Sequence, residues 1–274
     1  MATIERALQF LGNTGRPVEA AWARQLADDG SRQDVIDALA AYENEDGGFG
    51  RNLEVDIKAP DSQPFAARLA MHVLVSIAAP SDEPMVRRLE GWLEREQGED
   101  GCWRFPPGVF AHGLAPWFAG WTFPSLNPAL CLAGGAKRLG IGSDRLFGRV
   151  AALVDQMASA EEIEKGEFYG VLPYVEYFPW VDHPRRAEVL DLLADRIRRS
   201  ALEGGYADAG HFFEHVGPAG GEIARRLPVD LVSTQLDRLR GEQQDDGGWP
   251  SPYNPTWRAW ATAAAVETLL DHGH

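Results

Sequence analysis

The chain has 274 residues, 45% hydrophobic and 24% charged, with two cysteines, a balance that excludes a disordered chain, a collagen-like repeat and a disulfide-stapled miniprotein. Its 26 Lys and Arg against 41 Asp and Glu leave a net charge of −15, which repels phosphate backbones and anionic lipid, so nucleic acid is not expected as a partner. The longest apolar stretches, 69–79 and 259–266, fall short of the roughly 20 residues a bilayer span needs, so no integral membrane association is expected.

Residues 1–8 read as the start of an amphipathic helix and lack the basic, apolar and cleavage regions of a signal peptide, which makes the cytoplasm the expected location. Three later segments align without a gap. Glu43 to Phe49, Gln97 to Trp103 and Gln243 to Trp249 each read Q/E-x-x-D-G-x-aromatic, and Leu39, Leu93 and Leu239 each stand seven residues before the motif aspartate. Each motif follows a helical apolar pattern: Val35, Leu39, Tyr42; Val86, Leu89, Leu93; Val232, Leu236, Leu239. The Asp-Gly pair is expected to end that helix, because Gly tolerates the left-handed conformation. Asn127-Pro128 and Asn254-Pro255 read as an N-cap followed by Pro, with Asp61-Ser-Gln-Pro64 a looser version. They open Ala-rich helices expected over about 62–79, 127–139 and 255–270, packed as an inner layer. After a helix expected over 184–202, Gly204-Gly205-Tyr206 reads as a decayed copy of the motif.

These units resemble the QW-type repeat of terpenoid cyclases and the Asp-Gly-Gly-Phe/Trp repeat of protein prenyltransferase β subunits. The resemblance implies an all-α fold, an α/α toroid of about five to six helical hairpins, with 1–274 as a single domain. It also implies that Asp46, Asp100 and Asp246 are structural, capping helices while the aromatic residue wedges between hairpins. The chemistry of those families is not carried over. The Asp-x-Asp-Asp acid of class II cyclases and the Asp-Asp-x-x-Asp magnesium cluster of class I enzymes are missing, and Asp230 to Asp237 only distantly resembles a second metal motif. Cys102 and Cys131 read as small buried hydrophobes rather than zinc ligands, so no metal and no other cofactor is expected.

The chemistry-bearing residues that the repeat does not use fall into five segments. The first, 51–62, holds three carboxylates, Glu54, Asp56 and Asp61. They are candidates for proton handling, against a bland reading in which Asp61 caps a helix and Glu54 pairs with Arg51 or Lys58. The second is a long aromatic loop with His112, Trp117 and Trp121, in which His112 is a candidate acid or base. The third, 168–180, offers Tyr169, Tyr174, Glu176 and Tyr177 as a wall for an isoprenoid or polyene, or equally as core. The fourth is His211-Phe-Phe-Glu214-His215, an i, i+4 His pair without the fuller His-Glu-x-x-His order; it is read as substrate-binding, with a metal site as runner-up. The fifth holds Tyr253 and Trp257 beside the capping Asn254. Together these suggest an enzyme acting on a hydrophobic small molecule by metal-independent acid/base chemistry in an aromatic-lined central cavity. A carbohydrate-active α/α-barrel hydrolase or lyase and a non-catalytic binding or assembly protein are the alternatives.

Overall fold

A computed structural model describes residues 2–273; Met1, at the head of the expected N-terminal helix, and His274 lie outside it. The described residues form fourteen α-helices, three short 3-10 turns and no strand. In chain order the helices are α1 (Ala2–Thr14), α2 (Pro17–Leu26), α3 (Arg32–Ala40), α4 (Pro64–Ser76), α5 (Pro84–Glu96), α6 (Pro116–Ala119) and α7 (Leu126–Leu139). They continue as α8 (Asp144–Met157), α9 (Ala160–Lys165), α10 (Phe168–Tyr177), α11 (Arg186–Leu202), α12 (Ala209–Val216), α13 (Val229–Gly241) and α14 (Arg258–His272). The fold is all-α. Helix starts follow local chemistry: Pro opens α2, α4 and α5 at a position that needs no amide donor, and the side chains of Ser143, Ser159 and Asp208 cap α8, α9 and α12.

The chain divides into two compact units, one of Met1–Ala38 with Ala187–His274 and one of Leu39–Arg186. In the second, α7 packs against α4, α8 and α10. Gly134 lets α7 close on α10, since a Cβ there would lie 1.9 Å from the Glu176 carbonyl oxygen. In the first, α14 packs against α1, α2, α12 and α13, and Trp22 of α2 meets Trp260 of α14 at 5.1 Å between ring centroids.

All three full repeats build the same turn. Asn44, Gly98 and Gln244 donate their backbone N–H to the carbonyls of Gly48, Cys102 and Gly248 at 2.8–2.9 Å. Gly47, Gly101 and Gly247 take φ of +82°, +85° and +91°, the left-handed region that Gly alone enters cheaply. The motif aspartate accepts the N–H two residues on (Gly48 2.9 Å, Cys102 3.3 Å, Gly248 3.1 Å), so it caps its own turn rather than a neighbouring helix. Its second bond reaches the chain that leads to the next helix: Asp46 accepts from the Ser62 hydroxyl at 2.7 Å and Asp246 from Arg258 at 2.9 Å. The indole N–H of Trp103 and of Trp249 donates to the carbonyls of Leu93 and Leu239, at 2.9 and 2.7 Å, and so adds a side-chain bond to a carbonyl in the last turn of the preceding helix.

Three expectations are corrected. The preceding helices stop at Ala40, Glu96 and Gly241, well before the Asp-Gly pair, and Glu43, Gln97 and Gln243 leave the helix to bind another one. Glu43 takes a two-pronged bond from Arg88 of α5 (2.6 and 2.8 Å), Gln97 donates to the Leu146 carbonyl of α8 (3.1 Å) and Gln243 to the Thr3 carbonyl of α1 (2.8 Å). Asp61 does not cap α4; the Gln63 side chain does, accepting from Phe65 N–H at 2.7 Å. Asn127 has the extended backbone of a cap (φ −97°, ψ 122°), but its amide donates to the Tyr169 carbonyl at 3.3 Å. Asn254 does cap, accepting from Thr256 N–H at 3.1 Å. The Gly204-Gly205-Tyr206 copy keeps a positive-φ glycine (+72°) and a buried aromatic, but its hydroxyl turns to His215 Nδ1 at 3.0 Å.

Candidate functional site

In the unit Leu39–Arg186, the two segments rich in candidates pack on each other. The Lys58 N–H donates to the Gly113 carbonyl and the Ala115 N–H to the Asp56 carbonyl, both at 2.9 Å. This pins 56–58 to 113–115 around an apolar cluster of Ile57, Ala59, Phe65, Phe105, Val109 and Phe118. Glu54 is buried (5% exposed) and accepts the Asp56 N–H at 3.1 Å, while Arg51, one of its two expected partners with Lys58, donates to Asn44 at 2.8 Å. Asp56 is half-buried and Asp61 lies against Gly108, where a Cβ would come 2.8 Å from Oδ1. Of the three loop carboxylates, Glu54 thus builds its own turn. His112 and Trp117 are exposed, whereas Trp121 lies against Phe65 and Phe118 (5.0 and 5.7 Å between centroids) with its indole nitrogen buried and unpartnered among the described residues.

On α10 the candidates separate by face. Tyr174 and Tyr177 are fully buried and pack on Phe178, the core alternative that their sequence left open. Burial raises both phenols, and Tyr174 also donates to Glu162 while Tyr177 stands at about 12. Tyr169 is half-exposed. Glu176 is half-buried and held by Arg68 of α4, whose Nε lies 3.1 Å from both carboxylate oxygens. Burial would push that carboxyl up, but the Arg68 charge and hydrogen bond outweigh it and hold it below the usual carboxylate range. The Cys131 thiol beneath this pair is driven well above its ordinary value by burial and then by the Glu176 charge, which leaves it an unreactive thiol.

The other unit holds an arrangement with acid–base character. Asp208 caps α12, accepting the His211 N–H at 2.8 Å, and the same Oδ1 lies 2.6 Å from His211 Nδ1. One carboxylate oxygen therefore starts the helix and orients the imidazole. Burial would lower the His211 pKa, but the Asp208 hydrogen bond and the carboxylates of Glu214, Asp208 and Glu242 outweigh it, and the imidazolium is favoured beyond an ordinary histidine. The Asp208 carboxyl moves the opposite way: burial opposes ionisation and the bond to His211 holds it low. The Tyr253 ring stands edge-on to the imidazole at 5.4 Å between centroids and is 54% exposed. Four residues on, Trp257 is half-exposed and meets Trp260 at 6.3 Å, which continues to Trp22.

Of the residues singled out from sequence, His211 and Tyr253 are brought together, with Trp257 on the same run of chain; Glu54 and Asp56 are neighbours in the other unit. His215, expected as the runner-up metal partner of His211, is buried and turned to Tyr206. Among the described residues no group of three His, Cys, Asp or Glu is arranged to hold a metal ion. Sequence reasoning passed over Asp208, although the Asp-x-x-His spacing at a helix start is the N-cap to N3 relation that a capping box uses. It also passed over Arg68, which no local pattern links to Glu176.

No family model matches the chain, and no curated protein matches it. Among solved structures, the crystal structure of a protein from Actinoplanes is similar, with 15% sequence identity, 98% of each chain covered and a TM-score of 0.57. That likeness is one of fold.

Proposed function

We propose that the chain is a terpenoid cyclase- and prenyltransferase-like α/α-toroid enzyme that acts on a hydrophobic small molecule, an isoprenoid or polyene, by metal-independent acid/base chemistry with His211 as the proton-handling group. The observation that carries this reading is the Asp208–His211 pair at 2.6 Å beside the exposed Tyr253 ring. A carboxylate that fixes the Nδ1 tautomer and stabilises the imidazolium is the arrangement general acid–base catalysis uses, and the aromatic run suits an apolar body. The architecture is supported by the last repeat docking on α1, through Gln243 to Thr3 and Gly247 against Arg6, so the first and last helices meet within one unit. This reading moves the chemistry from Glu54, Asp56, Asp61 and His112 to the His211 cluster, because Glu54 is buried and serves its own turn and His112 lies exposed on the loop.

A thermal-shift panel tests it, with geraniol, farnesol and squalene set against simple oligosaccharides. A ligand present at a hundredfold its Kd adds about 2.7 kcal/mol, or about 5–10 °C for a protein of this size. The isoprenoids should stabilise the wild type, and His211→Phe should lose most of the gain. Stabilisation by the sugars and none by the isoprenoids would overturn the reading in favour of carbohydrate chemistry.

A further inference from the structure

Separately from the His211 chemistry, we propose that the loop 105–124 of the unit Leu39–Arg186 is a peripheral docking surface for a zwitterionic lipid bilayer, with the Phe110 and Trp117 rings entering the interfacial layer. The 32 residues 105–136 contain no Asp, Glu, Lys or Arg, although these make up 24% of the chain. From Leu126 onward burial in α7 accounts for the lack of charge. The loop before it is largely exposed, with Phe110 and Trp117 57% and 54% open to solvent, so packing does not explain its apolar sequence. Both rings rise from one base. Phe110 stands edge-on to Phe105 at 6.0 Å between centroids, Phe105 meets Phe118 at 6.0 Å, and Trp117 directly precedes Phe118. The bonds from Lys58 to Gly113 and from Ala115 to Asp56 tie the loop to 56–58, so the two rings are held out in water on a fixed support. Exposed apolar residues elsewhere, such as Leu202 and Val229, stand singly beside Glu203 and Asp230, as scattered surface residues do.

Area and charge select the occupant. An aromatic side chain buries about 150–250 Å² when fully covered, so the exposed halves of two rings offer roughly 200 Å², well short of the roughly 800 Å² per partner that a stable protein–protein interface needs. That disfavours a second copy or a folded partner. A bilayer demands no matching surface, because each apolar group that enters adds to the binding, and its interfacial layer is where aromatic rings settle. Two charged side chains lie against the loop's glycines: Lys58, with Cδ 2.9 Å from where a Gly113 Cβ would be, and Asp61, with Oδ1 2.8 Å from that of Gly108. They are opposite in sign, which complements the phosphate and the ammonium of a zwitterionic headgroup. The net charge of −15 opposes an anionic lipid surface.

The test sediments the full chain with sucrose-loaded phosphatidylcholine vesicles. The wild type should pellet with them, and Phe110→Ser and Trp117→Ser should each lower the partition coefficient about tenfold, the order expected for withdrawing about 100 Å² of ring from lipid. Leu202→Ser and Val229→Ser, exposed apolar sites outside the loop, should leave it unchanged. Adding phosphatidylserine to the vesicles should weaken binding at low salt. Brominated phosphatidylcholine should quench the tryptophan emission of the wild type more than that of Trp117→Phe, a variant that keeps an aromatic ring and serves if the serine variants fold poorly. No wild-type binding, binding retained by the Phe110→Ser/Trp117→Ser double variant, an equal loss in the two outside variants, equal quenching of wild type and Trp117→Phe, or tighter binding to the phosphatidylserine vesicles overturns the proposal. So does a wild-type dimer in sedimentation velocity that the double variant breaks, because the loop would then be a contact between copies.

Discussion

His211 is the residue at which local structure, charge and proposed chemistry meet, and its titration has a sign that can be worked out. Its folded pKa lies above the ordinary 6.5, so protonating it favours the native state. The stability it contributes is fully present below pH 6.5 and is lost as pH rises through the raised value. His183 acts in the opposite direction: burial lowers its pKa, with Asp155 partly restoring it, so it costs stability as pH falls below 6.5. The two overlap in the wild-type profile, and a variant separates them. The melting-temperature difference between wild type and His211→Phe should be largest near pH 6 and shrink toward pH 8.5. A difference that stays constant across this range would show that the ring is held by packing alone and that the carboxylates around it do not govern its protonation. The site was only partly legible in the sequence for the same reason. Tyr253 and His211 were each visible as residues the repeat does not need, but Asp208 was passed over, and only the folded backbone shows that one oxygen both caps the helix and holds the ring.

At the scale of elements, the repeat was legible because its information is local and is written three times. The positive-φ glycine, the aspartate two residues before the N–H it accepts and the aromatic that returns to the preceding helix all lie within about ten residues of one another. What the local pattern could not show is docking. Gly47, Gly101 and Gly247 each back onto the carbonyl of an arginine in another helix, Arg88, Arg149 and Arg6, at 2.4, 2.6 and 2.3 Å from where a Cβ would be. The same blindness hid the Arg68–Glu176 pair, whose members are 108 residues apart. The glycines allow the backbone and docking contributions to be separated. Gly204 has φ +72° and nothing within 4 Å of an added Cβ, so Gly204→Ala should cost about 1–2 kcal/mol, the backbone term alone. Gly247→Ala carries that term and a clash with the Arg6 carbonyl, and should cost about 2–5 kcal/mol. Equal losses in chemical denaturation would mean that the repeat turn does not bear on α1.

At the scale of the whole molecule, among the described residues no helix is long and apolar enough to cross a membrane, and the chain's order of assembly follows from which segments share a unit. One unit is a continuous stretch, Leu39–Arg186, whereas the other combines Met1–Ala38 with Ala187–His274. The discontinuous unit cannot complete its core until the last helix exists, because α14 is the element against which α1 and α2 pack. The contacts are specific as well as apolar. Gln243 reaches the Thr3 carbonyl at 2.8 Å, Arg6 reaches back to the Gln244 and Asp245 carbonyls at 2.7 and 3.1 Å, and Trp22 meets Trp260. Removing α1 therefore takes away more than its thirteen residues: the third repeat loses the helix it docks on, and the buried Phe10 and Leu11 go with it, Phe10 from beneath the Arg258 guanidinium of α14. Burial of two such side chains is worth about 3–6 kcal/mol, a large part of the 5–15 kcal/mol that holds a typical protein folded. The chain lacking residues 2–14 should thus lose far-UV helical signal well beyond thirteen residues and show protease cleavage in 187–273 first. A loss confined to the deleted helix, with 187–273 still protected, would show that the C-terminal helices hold together without the N-terminus and that the closure through α1 is dispensable.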